Sequence, residues 1–188
     1  MAYFRKLVGE RCYLSPLDPD DAARFAEWAN DPEVAAGVTL ARQVVGVERM
    51  RDKIARHAAR QAYFAIVALD GDEPIGNCGI DDISAVDRTG ELVIMIGDRR
   101  FWDRGFGSDA VRLLLRFGFL TLNLNNVRLT AHSFNKRAIR CYEKCGFTQC
   151  GYWPDSWYHD GELHGTVMMY ALRADFDGAQ LASPGDVQ

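Results

Sequence analysis

Arg99-Arg100-Phe101-Trp102-Asp103-Arg104-Gly105-Phe106-Gly107-Ser108-Asp109-Ala110 is the stretch whose reading decides this chain. Before it runs Glu91-Leu92-Val93-Ile94-Met95-Ile96-Gly97, an apolar, β-branched segment that reads as a buried strand. After it, Ala110 to Leu120 is apolar at 110, 111, 113, 114, 115 and 117, the spacing of a helix. Gly105 and Gly107 therefore fall in a strand-to-helix turn. Such a turn presents backbone N–H groups at the positive end of a helix dipole, where an anion is favoured. Glycine lets the backbone approach a phosphate with no side chain in the way. Arg99, Arg100 and Arg104 add positive charge nearby.

Two common nucleotide signatures do not account for the turn. The dinucleotide fingerprint G-x-G-x-x-G would put its third glycine at Ala110. Alanine is tolerated there, but no suitable acidic residue ends a following strand about 20 residues on. The P-loop pattern G-x-x-x-x-G-K-[ST] is absent from the chain.

A second motif lies downstream. Asn126-Val127-Arg128-Leu129-Thr130-Ala131-His132 alternates like a strand, and Asn135 to Phe147 then reads as a capped helix. Asn135 suits the N-cap and Gly146 the position just past the helix end. Asn135, Ala138 and Tyr142 are three and four apart and share one face, with Arg137, Arg140 and Lys144 opposite.

N-x-x-A-x-x-C-Y-E-K-x-G-F from Asn135, joined to W-D-R-G-F-G-S-D-A from Trp102, resembles the GNAT superfamily of acyl-CoA-dependent N-acetyltransferases. Within it the chain looks most like the RimJ/RimL-type acetyltransferases of ribosomal-protein N-termini. Pro74 to Ile80 resembles that subgroup's I-G-x-x-G strand, Glu91 to Gly97 its E-L-x-I-x-I-G strand, and Leu14 to Ala22 its opening strand and helix start. Trp102 stands where the subgroup often carries Trp. The resemblance covers roughly residues 10 to 172. It implies an α+β (α/β) fold: a central, mixed, mostly antiparallel twisted sheet flanked by helices, with its central strands splayed.

The resemblance also implies a chemistry. The cosubstrate is acetyl-CoA, with no metal. Its pyrophosphate would meet the N–H groups of Arg104, Gly105, Phe106, Gly107 and Ser108, with Arg99 adding charge. Its pantetheine amides would pair with the backbone of Val93, Ile94 and Met95, and Asn135 can offer that arm a donor and an acceptor besides capping its helix. An amine would attack the thioester directly. A lysine-like amine has a pKa near ~10 and must lose a proton first, so a base is needed. Tyr142 resembles the family's acid for the departing thiolate, and Glu91 the subgroup's candidate base. Asp81, Asp82, His132, Asp155 and His159 compete for the base role. Cys141 and Cys145 suggest a thiol relay, but neither has a base adjacent in sequence.

The acceptor is less legible. Tyr152 to His164 is aromatic and acidic and reads as a hairpin turning at Asp160-Gly161. Aromatic walls with Asp155, Asp160 and Glu162 suit a cationic amine, while Trp153 and Trp157 equally suit a core or a homodimer contact. Thr166 stands near the place where the subgroup often has Asp. The acceptor is thus a peptide N-terminus or a small amine; the reading from another class is a catalytically silent acyl-CoA-binding or sensing domain.

Composition sets bounds. The chain has 188 residues, 48% hydrophobic and 26% charged, as expected of one soluble domain with a sizeable core. A net charge of −4 argues against non-specific nucleic-acid binding. No apolar run reaches the length of a membrane span, and Met1 to Lys6 is not followed by a signal-like segment, so the expected location is cytoplasmic. Five scattered cysteines oppose a disulfide framework. Cys141, Cys145 and Cys150 lack a second ligand pair for zinc and read as small core residues. Residues 1–174 read as one domain and 175–188 as a mobile tail. The expected strands are 11–17, 62–69, 74–84, 90–97, 126–132, 147–157 and 163–173; the expected helices are 18–30, 47–61, 106–120 and 136–145.

Overall fold

The computed structural model describes residues 3–38 and 42–176. Their strands form one eight-stranded mixed sheet. In chain order these are β1 (Leu7–Val8), β2 (Cys12–Pro16), β3 (Tyr63–Ala68), β4 (Pro74–Ser84), β5 (Thr89–Ile96), β6 (Asn126–His132), β7 (Thr148–His159) and β8 (Glu162–Leu172). The sheet order is β1-β2-β3-β4-β5-β6-β8-β7. The β5–β6 pair is parallel, and β1–β2, β2–β3, β3–β4, β6–β8 and β7–β8 are antiparallel. The chain divides into two compact units, Met1–Gly79 with Ile94–Ala110, and Ile80–Val93 with Val111–Gln188.

In the first unit, β3 is buried at all six positions, so its sequence YFAIVA runs apolar without alternation. Helix α1 (Ala22–Asn30) buries Ala22, Phe25, Ala26, Trp28 and Ala29, a three-and-four spacing that makes one apolar face. Its expected start at Asp18 is a short 3₁₀ turn, Pro19–Asp21, where the Asp18 side chain accepts from the Asp20 N–H. Asp31 ends α1 and caps α2 (Pro32–Ala36), accepting from the N–H groups of Glu33 and Val34. Helix α3 (Val47–Ala58) turns only Met50 and Ile54 fully inward and stops three residues short of the expected end. Trp28 lies on Gly97, where a Cβ would come within 2.2 Å of the indole.

In the second unit, β6 alternates cleanly, with Val127, Leu129 and Ala131 buried. It pairs with β8 from Asn126–Leu172 to His132–Thr166. The β7–β8 hairpin turns at Asp160 and Gly161, both at positive φ, as their sequence suggests. Helix α5 (Lys136–Lys144) is as expected to within a residue. Helix α4 (Phe106–Arg116) gives way to a π turn, Phe117–Thr121, rather than running on as α-helix to 120. Within that turn a Cβ on Gly118 would meet Ile80 Cδ1 at 2.9 Å. A 3₁₀ turn, Arg173–Asp175, continues past β8, so Asp175 is not the start of a structureless tail. Residues 177–188 of the expected tail lie outside the described residues.

Candidate active site

The glycine turn is built in stages within the first unit. Gly97 and Asp98 both donate backbone N–H groups to the Ile75 carbonyl, at 2.8 and 3.2 Å, which stops β5. Asp98 then caps a 3₁₀ turn, Arg99–Phe101, by accepting from the Arg100 N–H. The Trp102 indole donates to the Ile96 carbonyl at 2.9 Å and ties the turn back to its strand. Asp103 and Gly105 take positive φ, 55° and 86°, which reverses the chain into α4. The α4 ladder opens with the Asp109 N–H donating to the Gly105 carbonyl at 3.0 Å. The amides of Phe106 and Gly107 precede that bond, and neither donates to a described residue. Gly107 and Ser108 thus sit inside the first helical turn rather than in the loop.

The arginines of this stretch have separate surroundings. Arg99 ion-pairs with Asp31 at 3.5 Å and with Glu33. Arg100 pairs with Asp98 and Glu73, each at 2.6 Å. Both arginines line a groove of about 820 Å³ whose other charged residues include Asp20, Asp21, Glu27 and Arg24. Arg104 donates to the Arg100 carbonyl at 3.2 Å and lies over the rings of Phe101 and Phe106. Arg100 holds Asp98 below the usual carboxylate range through its side-chain hydrogen bonds, against the opposing effect of burial.

On β5 the ladder with β6 covers only Thr89–Asn126, Gly90–Val127 and Glu91–Arg128. Val93, Ile94 and Met95, the expected pantetheine residues, lie beyond it and are half-buried although apolar. Gly76 of β4 faces this segment, and a Cβ there would meet the Met95 carbonyl oxygen at 2.0 Å.

The proton-transfer candidates lie in the second unit. Glu91 is partly exposed, and the Arg128 Nε donates to one of its carboxylate oxygens at 3.3 Å; Arg128 also reaches Asp82 at 3.7 Å. The second Glu91 oxygen bonds to no described residue. Asn135 caps α5, its side-chain oxygen accepting from the Ala138 N–H at 3.1 Å, which leaves its NH₂ to other partners. Tyr142 is 9% exposed and packs edge-on against Phe147. Burial, then the neighbouring Cys141 and Cys145, push its pKa well above the tyrosine range. Its hydroxyl bonds to no described residue. His132 stacks on Trp157 at 4.1 Å and on Phe134 at 5.5 Å, and Phe134 stacks in turn on His159 at 5.2 Å. Trp153, by contrast, is 62% exposed. Asp155 is exposed, and His159 lies 3.4 Å from Asp160.

Sequence reasoning passed over Asp109 and Arg11. Asp109 is only 4% exposed although it stands in the first turn of α4. Its carboxylate accepts from the N–H groups of Glu10, Arg11 and Cys12, at 3.2, 2.8 and 3.0 Å, and from the Cys12 thiol at 3.4 Å. Burial first, then this carboxylate, push the Cys12 thiol far above its usual range, so it stays protonated. The visible signal was an acidic residue in a first helical turn, which also suits an exposed dipole partner. Among the described residues, no group of three or more His, Cys, Asp or Glu is arranged to hold a metal ion, and no helix is long and apolar enough to cross a membrane.

Residues 11–148 match the family model of the acetyltransferase (GNAT) domain. Over 177 residues the chain is 28% identical to the uncharacterized N-acetyltransferase p20 of Bacillus licheniformis, covering 92% of this chain and 98% of that protein. It is 26% identical over 102 residues to a spermidine N(1)-acetyltransferase of Vibrio cholerae, covering 54% and 58% of the two chains. The fold is similar to the crystal structure of spermidine N-acetyltransferase from Vibrio cholerae in complex with CoA and spermine. The TM-score is 0.76 at 21% identity, with 87% of this chain and 96% of that one covered. Because the family match spans well over half of the chain, the protein belongs to the GNAT acetyltransferase family and is an acyltransferase.

Proposed function

We propose that this enzyme transfers an acetyl group from acetyl-CoA to a primary amine by direct attack, with Tyr142 as the acid and Glu91 as the base. The observation that carries the reading is Tyr142, a buried tyrosine on α5 that keeps its proton and whose hydroxyl no described residue uses. The residues of the glycine turn fit the diphosphate of the cosubstrate. Gly105 holds a left-handed φ, and the Phe106 and Gly107 amides precede the helix ladder. Val93, Ile94 and Met95 offer backbone groups beyond the β6 ladder for the pantetheine amides, and Asn135 keeps its NH₂ for the same arm. When bound, acetyl-CoA supplies an activated thioester carbonyl.

The protein's own part is proton management. The free oxygen of Glu91 takes the amine proton directly or through water, while Arg128 holds the other oxygen. The C–N bond forms as the C–S bond breaks, and the Tyr142 hydroxyl proton passes to the departing sulfur. Exchange with solvent resets both side chains, and the products are an amide and a free thiol.

The acceptor lies between two classes. The resemblance of the sequence motifs to the RimJ/RimL type favours a peptide α-amine. The related enzyme named for spermidine, and the similar fold in complex with CoA and spermine, favour a small polyamine. Residues 1–174 are proposed as one acetyltransferase domain, because the family match runs unbroken from 11 to 148 through both compact units. The test is release of CoA thiol from acetyl-CoA across peptides, polyamines and aminoglycosides. Turnover with one amine class supports the enzyme reading and selects the acceptor. Acetyl-CoA binding with no turnover on any class would leave the silent acyl-CoA-binding domain in its place.

A further inference from the structure

We propose that Arg11 is a phosphate-binding residue of this enzyme, placed over the glycine turn to pair with the diphosphate of the acyl-CoA. The proposal rests on the assignment of that turn to acyl-CoA. Arg11 is the last residue of the β1–β2 connection, far in sequence from the motif that marks the site. Yet a Cβ built on Gly105 would lie 3.0 Å from the Arg11 Nε, 3.3 Å from its Cδ and 3.8 Å from its Cζ. The Arg11 side chain therefore packs directly against the open face of Gly105, the left-handed residue just before α4.

That position is fixed from both sides. The Arg11 N–H donates to Asp109 at 2.8 Å, and the Arg11 carbonyl accepts from the Leu69 N–H at 2.9 Å. Asp109 also takes the N–H groups of Glu10 and Cys12, so the backbone on either side of Arg11 is pinned to the first turn of the same helix. Gly9 completes the fit, because a Cβ there would come within 2.5 Å of the Asp109 carboxylate.

The charges make the same case. A buried carboxylate in the first turn of α4 opposes an anion bound at that helix end, and a cation over the turn offsets it. Arg99 and Arg100 are engaged by carboxylates, and Arg104 lies over two rings. Arg11 is exposed, and among the described residues its guanidinium makes no ion pair. Its planar fork of donors matches two phosphate oxygens at once.

The experiment is calorimetric titration of the whole chain and its Arg11→Gln and Arg11→Lys variants with CoA and with dephospho-CoA. The glutamine variant keeps the Asp109 contacts, because those use main-chain amides. We expect Arg11→Gln to weaken both ligands by the same factor, about ten- to a hundredfold for a charge-assisted pair. Lysine should recover part of the loss. The melting midpoint without ligand should stay in place, whereas a merely structural role would lower it. Unchanged CoA affinity in Arg11→Gln overturns the proposal. So does a loss confined to CoA, which would make Arg11 a reader of the 3′-phosphate. If the unaltered protein binds neither ligand, the assignment of the turn to acyl-CoA falls as well, which separates that failure from one of Arg11 alone.

Discussion

A residue that protonates a leaving thiolate must still hold its proton when the reaction runs. Burial gives Tyr142 that property by raising its pKa, so the neutral form persists beyond the range, near ~10, where a free tyrosine ionises. We expect Tyr142→Phe to lower kcat by about ten- to a thousandfold, the usual worth of a positioned acid. Acetyl-CoA affinity should hold, because only a hydroxyl is lost. A variant with full turnover in a steady-state assay would return Tyr142 to the role of packing against Phe147. As the proposed base, Glu91 faces the opposite demand, since a base must have an oxygen to offer. Arg128 takes one oxygen, and the other bonds to no described residue. Glu91→Gln should therefore slow turnover at neutral pH, and the deficit should shrink as pH rises, because more of the amine then arrives deprotonated. His132→Gln is the comparison, as its ring stacks with Trp157 and with Phe134. Should the pH-rescued defect appear in His132→Gln and not in Glu91→Gln, the imidazole is the base.

Elements show most clearly where glycine is a packing requirement and where it is a habit of turns. Gly76 lets β4 approach β5 so closely that a methyl there would sit 2.0 Å from the Met95 carbonyl oxygen, a backbone atom with nowhere to move. Gly76→Ala should lower the melting midpoint sharply and loosen the β5 segment assigned to the pantetheine. Gly46, ahead of α3, has nothing within 4 Å of its Cβ position, so Gly46→Ala should leave the midpoint nearly in place. Equal midpoints for the two variants would show that the close approach of β4 and β5 is not needed. The same contrast explains what could be read from the chain beforehand. β6 coincides residue for residue with its expected span and α5 nearly so, because alternation and the helical repeat each persist long enough to be recognised. β4 coincides too, although it does not alternate, because Pro74 to Ile80 carries the I-G-x-x-G pattern. β1 and α2, at two and five residues, span no more than one strand repeat and about one and a half helical turns, too few to show a pattern. The π turn after α4 kept the apolar character of a helix and so looked like more of one. At the site, the glycines and Tyr142 carry local motifs. Asp109 and Arg11 do not, since what singles them out is contact between residues almost a hundred positions apart.

At the scale of the whole molecule, the question is how strongly the ligand is coupled to the folded state. The net charge of −4 works against a polyanionic cosubstrate at long range, so affinity has to come from local groups at the turn. A ligand that binds only the folded chain stabilises it by about 2.7 kcal/mol at a hundred times its Kd. For a chain of 188 residues each kcal/mol moves the midpoint by roughly 2–4 °C, so acetyl-CoA should raise Tm by about 5–11 °C. Gly107 sits in the first turn of α4, where its amide precedes the helix ladder. A glutamate in its place puts a bulky negative group where the diphosphate would lie, while helical φ and ψ remain open to it. Gly107→Glu should thus melt close to the unaltered protein when no ligand is present and lose the acetyl-CoA shift. Differential scanning fluorimetry reads both quantities at once. A variant that keeps the full shift would move the cofactor away from this turn, whereas one that melts far lower without ligand would make Gly107 a requirement of the fold.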